Sequence, residues 1–255
     1  MNTMDKFRLD GHVAVITGGG RGIGRAIALG MAEAGADVVL AARRTKEIES
    51  VAQEVNALGR RGLAITTDMM DMAQIENLAE QTVAQMGKLS IWVNNAGGAD
   101  DRTLRNLVDV PEYQWDFQAG LNLKAVWAGS VAAAKRMEAG SSIINISSIE
   151  AFNPSPANGP YAAAKAGVHT LTKSLAKELA PKIRCNAIAP GPVPTEVLME
   201  AMNLTDEMLP GVVEHLQIPM GRLGREEDFA PAAIYLASAA ADWVTGEVLT
   251  VSGGL

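Results

Sequence analysis

Short apolar runs alternate with longer stretches of helical period along almost the whole chain. The runs span His12 to Thr17, Asp37 to Ala42, Leu63 to Thr67, Leu89 to Asn94, Ser142 to Ile146, Ile183 to Ile188 and Glu247 to Val251. Each has the length and β-branched content of a buried strand. Between them, Gly22 to Ala34, Thr45 to Leu58, Met72 to Met86, Glu112 to Met137, Pro160 to Leu179 and Glu226 to Ser238 place apolar residues at helical spacing, several ending at Gly or Pro. Strand and helix in strict succession predict an α/β fold, a doubly wound parallel sheet of about seven strands with helices on both faces.

No Pro-, Gly- or Ser-rich linker, repeat or charge run divides residues 1–255, so the pattern predicts a single domain. Its one departure from even alternation is Pro190 to Pro219, where a Pro-rich turn precedes a weakly amphipathic stretch bearing Met199, Met202 and Met208. A long excursion after a strand's carboxyl end suits a lid over a site, here residues 191–219, or an ordinary packed helical insertion. The helices predicted at Glu112 to Met137 and Pro160 to Leu179 carry more apolar surface than one sheet face needs, which predicts a homo-oligomer.

Composition narrows the functional classes. Of 255 residues 48% are apolar, enough for a continuous core, and the formal net charge of −7 argues against a nucleic-acid partner. One cysteine, Cys185, and three scattered histidines offer neither a disulfide nor metal-ligand spacing. The opening Met-Asn-Thr-Met-Asp-Lys has no basic region followed by an apolar run, and no segment is apolar for the length of a membrane span. The expectation is a soluble cytoplasmic protein with no membrane partner.

Two clusters carry chemistry. Thr17-Gly18-Gly19-Gly20-Arg21-Gly22-Ile23-Gly24 follows the first strand and opens the first helix, the arrangement in which backbone amides and a helix amino end meet a pyrophosphate. The second strand then closes on Ala42-Arg43-Arg44, where an NAD site would have a carboxylate. Arg43 and Arg44, with Arg21 in the turn, match the extra phosphate of NADP(H), and NAD(H) is the alternative if the arginines are only solvated. The second cluster is Tyr161 and Lys165, four residues apart and so on one helical face, downstream of Ser148. A cation beside a phenol favours the phenolate and predicts a proton-transfer pair, with Tyr161 lowered by Lys165.

The glycine turn, Asn94-Asn95-Ala96-Gly97, Ser148, Tyr161-Ala-Ala-Ala-Lys165 and Pro190-Gly191 together resemble the short-chain dehydrogenase/reductase family over nearly the whole chain. The resemblance implies a Rossmann-type fold, usually a homotetramer, that moves hydride between a nicotinamide coenzyme and a carbonyl or alcohol carbon. It implies that Tyr161 is the acid/base, Lys165 the ribose ligand and cation, Ser148 rather than Ser147 the donor to substrate oxygen, and Asn122 the fourth member. Asn122 would hold a water linking Lys165 to solvent, or else mark a helix kink. For the coenzyme the same likeness implies Gly18, Gly22, Ile23 and Gly24 at the pyrophosphate and Asp68 and Met69 at the adenine. Asn95, Ala96 and Gly97 would lie along the ribose, and Pro190, Gly191, Val193 and Thr195 at the nicotinamide.

The substrate is the least determined part. Segments Gly98 to Asn106, Glu150 to Pro160 and Pro194 to Pro219 would line its pocket by analogy with the family. Asn94 to Gly98, Gly221-Arg222-Leu223-Gly224 and the ending Leu249 to Gly254 are similar to bacterial hydroxysteroid dehydrogenases, although many members carry aspartate where Ser252 stands. The implied activity is interconversion of a secondary alcohol and a ketone on a hydroxysteroid-like or other apolar substrate. The alternatives are a 3-oxoacyl-(acyl-carrier-protein) reductase, for which Arg102 and Arg105 are the nearby docking cations, and a catalytically silent coenzyme-binding protein.

Overall fold

The computed structural model describes residues 2–98, 101, 103–196, 199 and 204–255. Seven parallel strands lie in the order β3-β2-β1-β4-β5-β6-β7, so the chain winds outward first to one side of β1 and then to the other. They are β1 (Val13–Thr17), β2 (Asp37–Ala42), β3 (Gly62–Thr66), β4 (Ile91–Asn94), β5 (Ser141–Ile146), β6 (Ile183–Pro190) and β7 (Val248–Val251). The winding direction reverses between β1 and β4, and this switch point opens a crevice at the strands' carboxyl ends.

The helices are α1 (Gly22–Glu33), α2 (Thr45–Ala57), α3 (Met72–Met86), α4 (Glu112–Ala119), α5 (Ala125–Ala134), α6 (Gly159–Leu179), α7 (Leu209–Leu216) and α8 (Ala230–Ala237). Alternation within β1 assigns the two cores. Ala14 and Ile16 face α1, α2 and α8 with Ile27, Met31, Ile48 and Phe229, whereas Val13 and Val15 face α3, α5 and α6 with Ile75, Leu78 and Met137. Because both faces are covered, the central strands are mostly apolar, which is why their sequence reads as runs, and the polar residues within them, such as Asn94 and Asn145, are themselves buried. Helix α3 begins at Asp71, whose carboxylate accepts from the amides of Ala73 and Gln74, and ends at Gly87 in the left-handed region.

Two expectations need revision. The helix foreseen over Glu112 to Met137 is interrupted: Gly120–Lys124 form a π-helical segment between α4 and α5. The stretch Glu226 to Ser238 starts with a 3-10 turn, Glu226–Phe229, before α8. Cys185 lies in the core, where burial pushes its thiol up to about 12.

Beneath the crevice, polar residues cross the apolar layer in one connected set. The Trp92 indole donates to Asn94 Oδ1 at 2.7 Å, and Asn94 Nδ2 donates to Ser130 Oγ of α5 and to Asn145 Oδ1 of β5 at 2.9 and 2.8 Å. Asn145 Nδ2 in turn donates to Thr172 Oγ1 of α6 at 2.9 Å. All five residues are at most 2% exposed, so no water can replace a lost partner. Asn145→Ala strands an Asn94 donor and removes the donor to Thr172, and is expected to cost about 3 kcal/mol of unfolding free energy by urea denaturation.

Candidate active site

The glycine turn is shaped by close approach. Gly22 has φ +59°, a region that side chains rarely adopt. A β-carbon on Gly24 would run into the Gly18 carbonyl and the Asn95 side chain. Asn95 Nδ2 donates to the carbonyl oxygens of Thr17 and Gly18 at 2.9 and 3.2 Å, and Thr17 Oγ1 accepts from the amides of Asn95 and Ala96 at 3.0 Å each. These bonds lock the turn to the segment after β4, and a bare backbone cradle is left at the α1 amino end. That surface fits the pyrophosphate of a dinucleotide, with α1's unpaired amides aimed at it.

Around this cradle the sequence-derived residues fall on three sides of the crevice. Arg21 precedes α1 and pairs with Glu196, just past Pro190-Gly191 and Val193, while Thr195 lies beside Gly22. Arg43 and Arg44 are exposed at the end of β2, and Arg44 pairs with Glu47 at 2.7 Å. Asp68 follows β3 and accepts from the amide of Met70, and the side chain of Met69 beside it is buried in the second core. Ile23 packs partly against the first core. Gly191 sits against Ser252, and the Ser252 hydroxyl donates to the Leu255 carbonyl at 2.8 Å.

On the far side of the crevice stand the four residues expected to handle protons. Ser148 caps a 3-10 turn, its Oγ accepting from the Glu150 amide at 3.2 Å, and its hydroxyl is near enough to Tyr161 on α6 to act on the phenol's titration. Ser147 is used differently: it donates to the Lys165 carbonyl at 3.2 Å. Lys165 Nζ donates to the Ile146 carbonyl at 2.8 Å and lies 5.6 Å from the Tyr161 ring centre. Asn122, wholly buried in the π segment, donates through Nδ2 to Gly98 O at 3.0 Å and accepts through Oδ1 from the Gly98 amide at 3.3 Å.

The electrostatics correct one expectation. Tyr161 is held above the ordinary phenol value: burial is the largest cause, the Ser148 hydroxyl opposes it, and the charge of Glu150 adds to it. Lys165 does not lower it in the protein alone. Burial instead pulls the lysine down to about 8, so both members of the pair lean toward their neutral forms.

Sequence reasoning missed Thr17 and Gln118 as parts of the site. Thr17 stood in the quoted glycine motif and could have been found there; Gln118 carries no motif. Arg102 and Met202 lie outside the described residues. Arg105 is tied to Asp101 at 2.8 Å, which also accepts from Tyr113 at 2.7 Å; these bonds, Tyr113's foremost, hold the Asp101 carboxyl below its usual range. Among the described residues no three His, Cys, Asp or Glu side chains are grouped to hold a metal, and no helix is long and apolar enough to cross a membrane.

Comparison with known proteins agrees with this geometry. A family model described as enoyl-(acyl carrier protein) reductase matches residues 18–255. An uncharacterised oxidoreductase of Mycobacterium tuberculosis is 41% identical over 99% of this chain and 95% of its own. A 3-oxoacyl-[acyl-carrier-protein] reductase of Staphylococcus aureus is 36% identical over 95% and 97%. Among solved structures, a 7α-hydroxysteroid dehydrogenase with NADH and 7-oxo glycochenodeoxycholic acid superimposes with TM-score 0.91 at 36% identity, covering 100% of this chain and 98% of that one. A gluconate 5-dehydrogenase from Burkholderia cenocepacia with NADP and tartrate gives 0.90 at 35%, with the same coverage. The chain belongs to the short-chain dehydrogenase/reductase family and is an oxidoreductase of that family.

The lysine supplies a stability test. Folded Lys165 gives up its proton near 8, whereas an unfolded lysine keeps it to about 10.5. Between those values the unfolded state binds more protons, so this residue's contribution to unfolding free energy rises with pH; below about 8 the cost of burying the charge is present in full. The difference in unfolding free energy between the wild type and Lys165→Met is expected to climb across this window in urea melts, and a flat difference contradicts the burial of a charged amine.

Proposed function

We propose that the protein is an NADP(H)-dependent oxidoreductase that interconverts a secondary alcohol and a ketone, with Tyr161 as acid/base, Ser148 as donor to the substrate oxygen, and Lys165 and Asn122 in support. The observation that carries this reading is the grouping of Ser148, Tyr161 and the buried Lys165 amine, which lies 5.6 Å from the Tyr161 ring centre and one helical turn behind it. Bound in the glycine cradle, the coenzyme supplies or accepts the hydride. The chain's own part is the oxygen. Negative charge growing there is met by two hydroxyl donors, and Tyr161 completes the step by releasing its proton. A phenol kept protonated by burial favours donation and hence carbonyl reduction; alcohol oxidation needs the added field of a positive nicotinamide ring to draw the phenol proton off.

Arg43 and Arg44 support NADP(H), since the end of β2 offers cations and no carboxylate to the adenosine ribose. The solved relatives divide between NADH and NADP, so turnover decides: kcat/KM with NADPH is expected to exceed that with NADH, and a strong NADH preference rejects the assignment. Lys165, Asn95 and Gly97 would face the ribose, and Val193 and Thr195 the nicotinamide. The exposed Leu104, Leu107 and Phe152 around the crevice support a hydroxysteroid-like or other apolar substrate. A carrier-protein thioester has weaker support, because Arg105 is already engaged by Asp101.

The half-exposed Trp115 and Trp127 on α4 and α5, and the fully exposed Trp243 before β7, support a homotetramer, and the family supports a cytoplasmic setting. Tyr161→Phe is expected to keep coenzyme affinity and to lose about three powers of ten in kcat with any carbonyl substrate the wild type reduces. Retained turnover removes Tyr161 from its role.

A further inference from the structure

Asn122 is a carboxamide, and a carboxamide works only if it faces the right way round. Its Nδ2 meets two acceptors, Gly98 O at 3.0 Å and Gln118 Oε1 at 2.6 Å, and its Oδ1 meets one donor, the Gly98 amide at 3.3 Å. Flipping the group would set an oxygen against two oxygens and an NH₂ against an N–H, so the partners fix the orientation. The Gly98 donor and acceptor are backbone groups that cannot exchange places, so they set the sense of the amide. Gln118 Oε1, on the shortest of the three bonds, holds it there.

We propose that Gln118 is a positioning residue, which through its Oε1 holds the Asn122 carboxamide with its oxygen against Gly97. The site supports this in three ways. Gln118 is 7% exposed on α4, one turn before Asn122, a place where an apolar side chain would pack at no desolvation cost. Asn122 lies in the π segment Gly120–Lys124, where the helical hydrogen bonds change register and the side-chain direction is less tightly dictated by its own turn. Finally, Asn122 Oδ1 and Lys165 Nζ converge on one point: a β-carbon on Gly97 would lie 2.9 Å from the oxygen and 3.7 Å from the nitrogen. The oriented amide thus pins the Gly97–Gly98 backbone, which runs between Asn122 and Lys165 along the coenzyme cradle.

This inference rests on the functional reading above for its kinetic consequence but not for its structural one, and two readouts separate them. With a carbonyl substrate that the wild type reduces, Gln118→Leu is expected to lower kcat about tenfold while the substrate KM changes by less than about twofold. Gln118→Glu, which keeps an acceptor oxygen, is expected to restore most of the loss. In an Asn122→Ala background the same Gln118→Leu change is expected to cost less than about twofold further, since there is no amide left to orient. A full tenfold loss in that background, or no recovery with Gln118→Glu, overturns the proposal. Independently of turnover, side-chain amide NMR should show the Asn122 protons exchanging slowly in the wild type and much faster in Gln118→Leu; equal rates overturn it. A wild type that reduces no carbonyl sinks the functional reading, and the exchange rates still decide the role of Gln118.

Discussion

The bond between two buried amides, Asn94 on β4 and Asn145 on β5, is the constraint on which the site's geometry depends. Each strand of this pair delivers one wall of the crevice: β4 runs into the Asn95–Gly98 segment and β5 into Ser147 and Ser148. Asn94 further grips α5 through Ser130, and Asn145 grips α6, the carrier of Tyr161 and Lys165, through Thr172. Apolar packing alone tolerates small slides of a helix on a sheet, because it is nearly non-directional. Hydrogen bonds in a dry interior do not. They fix the register to the few tenths of an ångström that a proton relay between hydroxyls requires.

Above this floor the site is assembled by pairing one loop with the next. Thr17 and Asn95 stitch the glycine turn to the β4 loop, Asn122 and Gln118 stitch the β4 loop to the helical rod, and Ser147 with Lys165 stitches β5 to α6. Apart from the partly buried Asn95, these stitches are made by polar side chains that the fold removes from water, so each is costly to break. The outcome is a crevice floored by bonded polar groups, with Lys165 as a buried cation that desolvation pulls down to about 8.

Much of this was legible before any coordinates. Strand positions could be read because strands buried on both faces are mostly apolar, and Gly22 and Gly24 because only glycine tolerates their backbone or their crowding. Tyr161 and Lys165 could be read because helical periodicity guarantees a shared face. Three things were hidden for identifiable reasons. The π segment lies within a stretch whose local propensity is helical throughout, and its extra residue is set by packing against neighbours distant in sequence. Arg21 was expected to await a phosphate, but its partner Glu196 is remote along the chain and sheet topology brings it close. The direction in which Tyr161 titrates depends on how deeply it is buried, which spacing along a helix does not reveal.

The Trp92 indole closes one end of the amide network, with its ring wholly enclosed, while Trp115, Trp127 and Trp243 all reach the surface. The four chromophores therefore divide cleanly between two environments. Blue-shifted, quencher-resistant emission comes from the junction under the catalytic floor, and red emission from helices and a turn where another subunit would sit. An intrinsic spectroscopic probe of the site's foundation is thus already installed in the native chain.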